Sequence, residues 1–294
     1  MENKKSFNCL SAFWLKLIAC LLMTLDHIAL LFINRGVTEI DTAYYILRSI
    51  GKIAFPIFVY LAVDGVYHTK NIFKYLMRLL TISVAMDVFG YIIGGITHMN
   101  PIDNALIGNA FTDLFLGVLM VYLLKKKNWY SFLAIIPIAL SFLSHLNISD
   151  SYGTLIKADW GSFSIVLFFM FFIARELADY SLKVKARASG LDEDAYMISS
   201  DVTTRNFFSA VALVFVELVY YLVWRINYTT PILPNDFVPL GTYSTLALVF
   251  ILLYSGKRGF SSKKIQYAFY LYYPTHILLL GILSLFFGVL SKAY

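Results

Sequence analysis

An all-α, polytopic transmembrane bundle is the fold class this sequence predicts, and three observations carry the prediction. Hydrophobic residues make up 59% of the 294 and charged residues only 14%, against about 25% charged in ordinary soluble domains, and the mean hydropathy is +0.71. Apolar stretches recur along the chain at lengths near the roughly 20 residues that a helix needs to cross a bilayer. The ten-residue alternation of a transmembrane barrel is absent. Helices, which satisfy their own backbone groups, are then the way through hydrocarbon.

About nine such stretches follow in order: 12–33, 43–67, 73–95, 105–124, 129–146, 161–180, 207–226, 239–255 and 265–290. The first opens around Lys16 and encloses Asp26-His27; the second encloses Arg48 and Lys52. Asp87 falls in the third, Asp113 in the fourth and Glu217 in the seventh, while 129–146 and 239–255 are the shortest. The last contains an aromatic run, Phe269, Tyr270, Tyr272 and Tyr273, ahead of Pro274 and His276. Between the sixth and seventh lies a soluble loop around 181–206, which reads as a linker or a short amphipathic piece. The loops 147–160 and 226–238 carry Asn, Asp, Ser and Tyr, and Pro231, Pro234 and Pro239 favour turns there. No internal repeat divides the chain, so 1–294 reads as a single integral-membrane domain.

Orientation comes from counting basic residues. Segments 1–16, 68–78, 125–128, 175–205 and 256–264 hold 18 of the 24 Lys and Arg. The intervening loops and the C-terminus hold Arg35, Lys157, Arg225 and Lys292. The alternation predicts a cytoplasmic N-terminus and an outer C-terminus in a cell (inner, cytoplasmic) membrane. The net charge of +6 is then a topology signal rather than one for nucleic acid. Cys9 and Cys20 are the only cysteines, so no disulfide or metal framework is expected. Leu17-Ile18-Ala19-Cys20 has the outline of a lipoprotein cleavage box, but Lys16 interrupts the apolar run such a signal requires, and the segment reads as a retained first helix.

Ionisable residues inside apolar stretches are costly, which makes them functional candidates. At 1.5 Å per residue, His27 lies about 16 Å beyond Lys16 and His276 about as far beyond Ile265, so two histidines from opposite ends of the chain fall near the midplane. Arg48 and Lys52, four apart, share one helical face. Asp26 and Asp113 are both candidate neutralisers of Lys52. Adjacent positions project about 100° apart, which lets Asp26 hold a cation while His27 faces a cavity as a general base. His68, His98 and His145 fall at loop boundaries and read as solvated.

The residues also carry a resemblance. Leu15-Lys16-Leu17-Ile18-Ala19, Met23-Thr24-Leu25-Asp26-His27 and Ile50-Gly51-Lys52-Ile53-Ala54-Phe55-Pro56-Ile57-Phe58 resemble the opening signature of the TraX family of membrane acetyltransferases. His68-Thr69-Lys70-Asn71, Tyr75-Leu76-Met77-Arg78-Leu79, Asn109-Ala110-Phe111-Thr112, Asp150-Ser151-Tyr152-Gly153, Gly256-Lys257-Arg258-Gly259 and Phe269 to His276 extend it over nearly the whole chain in order. Two departures stand out: Lys52 replaces an arginine, which keeps charge but loses bidentate anion binding, and Thr275-His276 replaces Leu-His. The resemblance implies a member of the wider membrane acyltransferase clan, which includes heparan-α-glucosaminide N-acetyltransferase. The founding activity of that family is N-terminal acetylation of conjugative pilin at the inner membrane, and nothing in this sequence identifies pilin as the acceptor.

Acetyl transfer from a thioester to an amine or hydroxyl needs a base for the acceptor's proton, a donor for the developing oxyanion and a basic mouth for coenzyme A. His27 fits the first role, supported by Asp26. Lys52 or Arg48 fits the second, with His276 either a second proton-transfer group or a hydrogen-bond donor. Arg48, Lys70, Lys74, Arg78, Lys257, Arg258 and Tyr273 are the expected acetyl-CoA contacts, with Lys263 and Lys264 completing the basic collar. The acceptor, a peptide, glycan or small molecule, would approach from the outer face. A proton-coupled transporter using Asp26 and His27 as a relay is the alternative, but it would favour inverted repeats and paired broken helices, which the sequence lacks.

Overall fold

The computed structural model describes residues 8–33, 42–97, 108–144, 157–199, 202–229 and 242–286. His98, His145, Asp150-Ser151-Tyr152-Gly153, Pro231, Pro234 and Pro239 lie outside them. The described residues are helical, with one isolated bridge between Leu10 and Tyr254. In order they form α1 (Ala12–Ile28), which continues as a π-helical turn (Ala29–Ile33), α2 (Thr42–Gly51), α3 (Ala54–His68), α4 (Ile72–Thr97) and α5 (Ala110–Lys125). A 3-10 turn (Trp129–Ala134) leads into α6 (Ile135–Leu143), followed by α7 (Gly161–Ala188), α8 (Glu193–Ser199) and α9 (Thr203–Thr229). A second 3-10 turn (Thr242–Leu246) leads into α10 (Ala247–Leu252), and α11 (Lys263–Phe286) ends the described chain.

Four helical segments among the described residues are long and apolar enough to cross a membrane: Ala12–Phe32, Thr42–His68, Gly161–Ala188 and Thr203–Tyr228. Trp129–Leu143 and Tyr243–Leu252 are shorter apolar helices. Thr42–His68 is α2 and α3 together, broken by a turn at Lys52-Ile53 that a hydropathy pattern does not register. The Lys52 N–H still donates to the Arg48 carbonyl at 3.1 Å, so the two cations keep their helical spacing.

The expected loop at 181–206 is largely helix instead. Helix α7 runs on to Ala188, α8 occupies Glu193–Ser199 and α9 begins at Thr203. The physical reason is composition: 183–188 is Lys-Val-Lys-Ala-Arg-Ala, mostly strong helix formers. Arg187 Nε then donates to Glu193 Oε1 at 2.5 Å, and that hydrogen bond holds the Glu193 carboxyl below its ordinary value. At the surface, the pair adds little stability.

Helix starts explain several of the sequence motifs. Asn71 Oδ1 accepts from Lys74 N at 2.9 Å at the start of α4, Asn109 accepts from Phe111 N at the start of α5, and Ser262 Oγ accepts from Ile265 N at 3.1 Å at the start of α11. Each satisfies an amide that the first turn leaves without an intrahelical acceptor. Helix α1 lacks a side-chain cap and uses backbone instead. The carbonyls of Lys257 and Arg258 accept from Ala12 N (2.8 Å) and Phe13 N (3.1 Å). This close approach requires glycine at 259, whose φ is +70° and where a Cβ would overlap Ser11 and come within 3.2 Å of Phe13 Cβ.

The chain divides into two compact units, Met1–Phe58, Arg175–Glu217 and Gly241–Tyr294 forming the first, Val59–Ala174 and Leu218–Leu240 the second. In the first, α1 packs on α2 and α11, burying Leu15, Ala19 and Asp26 along one face. In the second, α5 packs on α4 and α6 and is buried at Phe111, Leu116, Val118, Met120 and Val121. Burial at consecutive positions marks a helix enclosed on more than one face.

Candidate functional site

Within the first unit, α1 and α11 bring the two expected histidines together. His27 Nδ1 lies 2.7 Å from His276 Nε2, with ring centroids 4.9 Å apart and ring planes 29° apart. His276 is buried, and its Nδ1 is 2.9 Å from the Tyr272 carbonyl oxygen one turn earlier. Tyr272 stacks on the His276 ring at 5.1 Å. Tyr273 meets both rings edge-on, at 6.2 Å from His27 and 5.6 Å from His276.

These partners fix the tautomers. A carbonyl oxygen only accepts, so His276 Nδ1 carries its proton and donates to Tyr272. In a neutral ring the other nitrogen, Nε2, must then accept, which requires His27 Nδ1 to be its donor. The proton-accepting lone pair of neutral His27 is therefore on Nε2. This is what a general base needs: a fixed tautomer, a fixed ring orientation, and an acceptor behind it to stabilise the cation formed on protonation.

Beside it, Asp26 Oδ2 pairs with Arg48 Nη1 at 2.5 Å. The charges of Arg48 and Lys52 act on both Asp26 and His27. Helices α1 and α2 can approach because Gly51 has no side chain: a Cβ there would overlap Asp26 Cβ and stand 2.9 Å from Asp26 Cα. Gly51→Ala is therefore expected to force the helices apart and cost about 1–3 kcal/mol. A lowered unfolding midpoint in detergent checks this, and an unchanged midpoint would show that the two helices relax freely.

The remaining expected residues have varied placements. Lys257 and Arg258 contribute carbonyls to the α1 start, with exposed side chains. Lys263 and Lys264 are exposed on the first turn of α11. In the second unit, Lys74 is exposed and Arg78 half-buried on α4, and Lys70 lines a cavity with Thr69, Tyr122, Lys125 and Lys126. Asp113, weighed as a neutraliser of Lys52, has its Oδ2 occupied by the N–H groups of Asp159 (2.8 Å) and Trp160 (3.0 Å). Asp87 Oδ1 accepts from Gly108 N and from Asn109 Nδ2, at 3.2 and 3.1 Å. Both acids thus tie chain segments together through amides. Glu217 accepts a hydrogen bond from Ser244. His68 is exposed and bonds to the Asp64 carbonyl oxygen through Nδ1 at 2.9 Å.

Sequence reasoning missed Thr24 and the placement of Tyr272. Thr24 Oγ1 donates to the Cys20 carbonyl at 3.0 Å and lies 2.6 Å from the Tyr272 hydroxyl, so α1 holds the turn of α11 that carries His276. The signal was in the spacing: Thr24 precedes His27 by three residues and Tyr272 precedes His276 by four, each on one helical face.

Three comparisons bear on this arrangement. A family model described as TraX protein matches residues 11–284. A protein of Dichelobacter nodosus named probable fimbrial assembly protein FimC, serogroup H1, is 28% identical over 279 residues, covering 92% of this chain and 94% of its own. No solved structure matches the chain.

Proposed function

The chain belongs to the TraX family, and from that premise we propose that it is a membrane acetyltransferase. It moves an acetyl group from cytosolic acetyl-CoA to an amine or hydroxyl at or beyond the outer face of the cell membrane. The observation that carries this reading is the His27–His276–Tyr272 chain, in which a buried histidine and a carbonyl orient a second histidine. The topology in this proposal is nine spans with the N-terminus inside. The name of the D. nodosus relative refers to fimbrial assembly, which supports an exported fimbrial subunit as the acceptor to try first.

In this mechanism His27 Nε2 removes the proton of the acceptor as its nitrogen or oxygen attacks the thioester carbonyl. His276 holds the Nδ1–H of His27 throughout, and the bond from His276 to the Tyr272 carbonyl spreads the positive charge. In this reading the Lys52 ammonium, carried in the turn after α2, is the donor for the developing oxyanion. Collapse breaks the carbon–sulfur bond, and the proton held by His27 passes to the departing thiolate. One acetyl group moves and one free thiol is released per turnover.

The test uses purified protein reconstituted in vesicles, acetyl-CoA labelled in the acetyl group, and acceptors with a free peptide amine or a hydroxyl. Label in the acceptor matched by released thiol is the expected result. Protein that binds acetyl-CoA but transfers no label to either acceptor class would sink the proposal. Proton flux across the vesicle without transfer would favour the transporter.

A further inference from the structure

Three helix ends in the second unit line a half-open cavity of about 250 Å³ formed by Val66, Thr69, Lys70, Ile72, Tyr122, Lys125 and Lys126. We propose that this cavity is a binding site for a phosphate group of a ligand, held by Lys70, Lys125 and Lys126.

Local structure brings the lysines together. Helix α3 ends at His68, α4 begins at Ile72 and α5 ends at Lys125. Lys125 Nζ donates to the Val66 carbonyl in the last turn of α3 at 3.4 Å and lies 4.2 Å from the centre of the Tyr67 ring. Lys126 Nζ stands 5.1 Å over the Tyr122 ring. These contacts restrict where the two ammonium groups sit, and both lysines line the cavity. Lysines placed only to mark the cytosolic side of a membrane protein require no such convergence on a concave surface.

The charge balance favours an anion. Two helix C-termini contribute about half a negative charge each and the α4 N-terminus about half a positive one. Three ammonium groups against these leave an excess of about two and a half positive charges. Among the described residues the lining contains no carboxylate. Thr69 and Tyr122 add hydroxyls, and a lysine ammonium has three N–H donors, so a tetrahedral oxyanion can meet several at once. The volume is below the 300–1,000 Å³ of sites that enclose drug-sized ligands. It fits a phosphate and part of the group it esterifies, not a whole coenzyme.

Two sources offer this chemistry: the nucleotide phosphates of coenzyme A, in which case the site rests on the acetyltransferase reading, and an anionic lipid headgroup. Binding to full-length protein in detergent separates them, with adenosine 3′,5′-bisphosphate and a short-chain phosphatidylglycerol as the two probes and adenosine as the uncharged control. The Lys70→Gln/Lys125→Gln/Lys126→Gln variant is expected to bind at least one anion about tenfold more weakly than wild type, with the loss shrinking at high salt. Should that variant unfold early, Lys126→Gln, at an exposed position, gives the same comparison with less structural cost. Weakening confined to the nucleotide makes this a coenzyme phosphate site. Weakening confined to the lipid makes it a headgroup site and leaves the acetyltransferase reading intact. Equal binding of both anions by variant and wild type overturns the proposal, whatever the transfer assay shows.

Discussion

His27→Ala is expected to lower acetyl transfer by about 10²–10⁴ while acetyl-CoA affinity stays within about threefold. A base acts on the acceptor's proton and contributes little to holding the donor, so the loss should fall on kcat and kcat/KM together. His276 makes the prediction sharper. Its Nε2 accepts the Nδ1 proton of His27, so His276→Ala should allow the wrong His27 tautomer and lower the rate by a smaller factor. His276→Gln should recover part of that loss, because the amide oxygen can accept the same hydrogen bond. Single-turnover rates on protein of verified fold check the series. A His27→Ala rate within threefold of wild type removes the base role, and equal losses for His276→Ala and His276→Gln remove the tautomer argument.

How much of this site a sequence can reveal depends on which physical rule places each part. Depth along a helix axis needs only the rise per residue, so the common level of His27 and His276 was legible. Their 2.7 Å approach depends on how α1 and α11 are rotated about their axes, which packing decides and composition does not. The Thr24–Tyr272 bond belongs to the same class: both residues sit on readable helical faces, but nothing in the sequence says that those faces meet. Hydropathy located the apolar helices yet passed over the turn at Lys52-Ile53, because a break of two residues barely changes a window average. It marks 181–206 only as a polar interruption, a linker or a short amphipathic piece, and does not say how far α7 and α9 run into it, although Lys, Ala and Arg are good helix formers. Asn71, Asn109 and Gly256-Lys257-Arg258-Gly259 belong to the stretches that carry the family resemblance. Two of their roles are helix caps and the third is a backbone cap for α1.

The arrangement of Asp26, Arg48 and Lys52 leads to the second large expected effect, because two cations act on one carboxylate and Arg48 makes an ion pair with it. Arg48 makes the short ion pair with Asp26, and Lys52, in the turn after α2, is within electrostatic reach of both Asp26 and His27. Arg48→Met should therefore strand a buried carboxylate. Breaking a fully buried pair costs about 3–5 kcal/mol, and the lower figure applies here, since the Arg48 side chain keeps 24% of its exposure. Asp26→Asn in the same protein removes the stranded charge, so the double variant should regain most of the loss and unfold within about 1 kcal/mol of wild type. Lys52→Met should behave differently. It keeps the length of the side chain and removes the proposed oxyanion donor, so the rate should fall by about 10²–10³ with little change in unfolding. Asp26→Asn should not restore that rate. Thermal unfolding and single-turnover rates for the three single and two double variants decide between the roles. If Lys52→Met proves the destabilising change and Asp26→Asn recovers both its stability and its rate, Lys52 is the counter-ion of Asp26, and the oxyanion donor must be sought elsewhere.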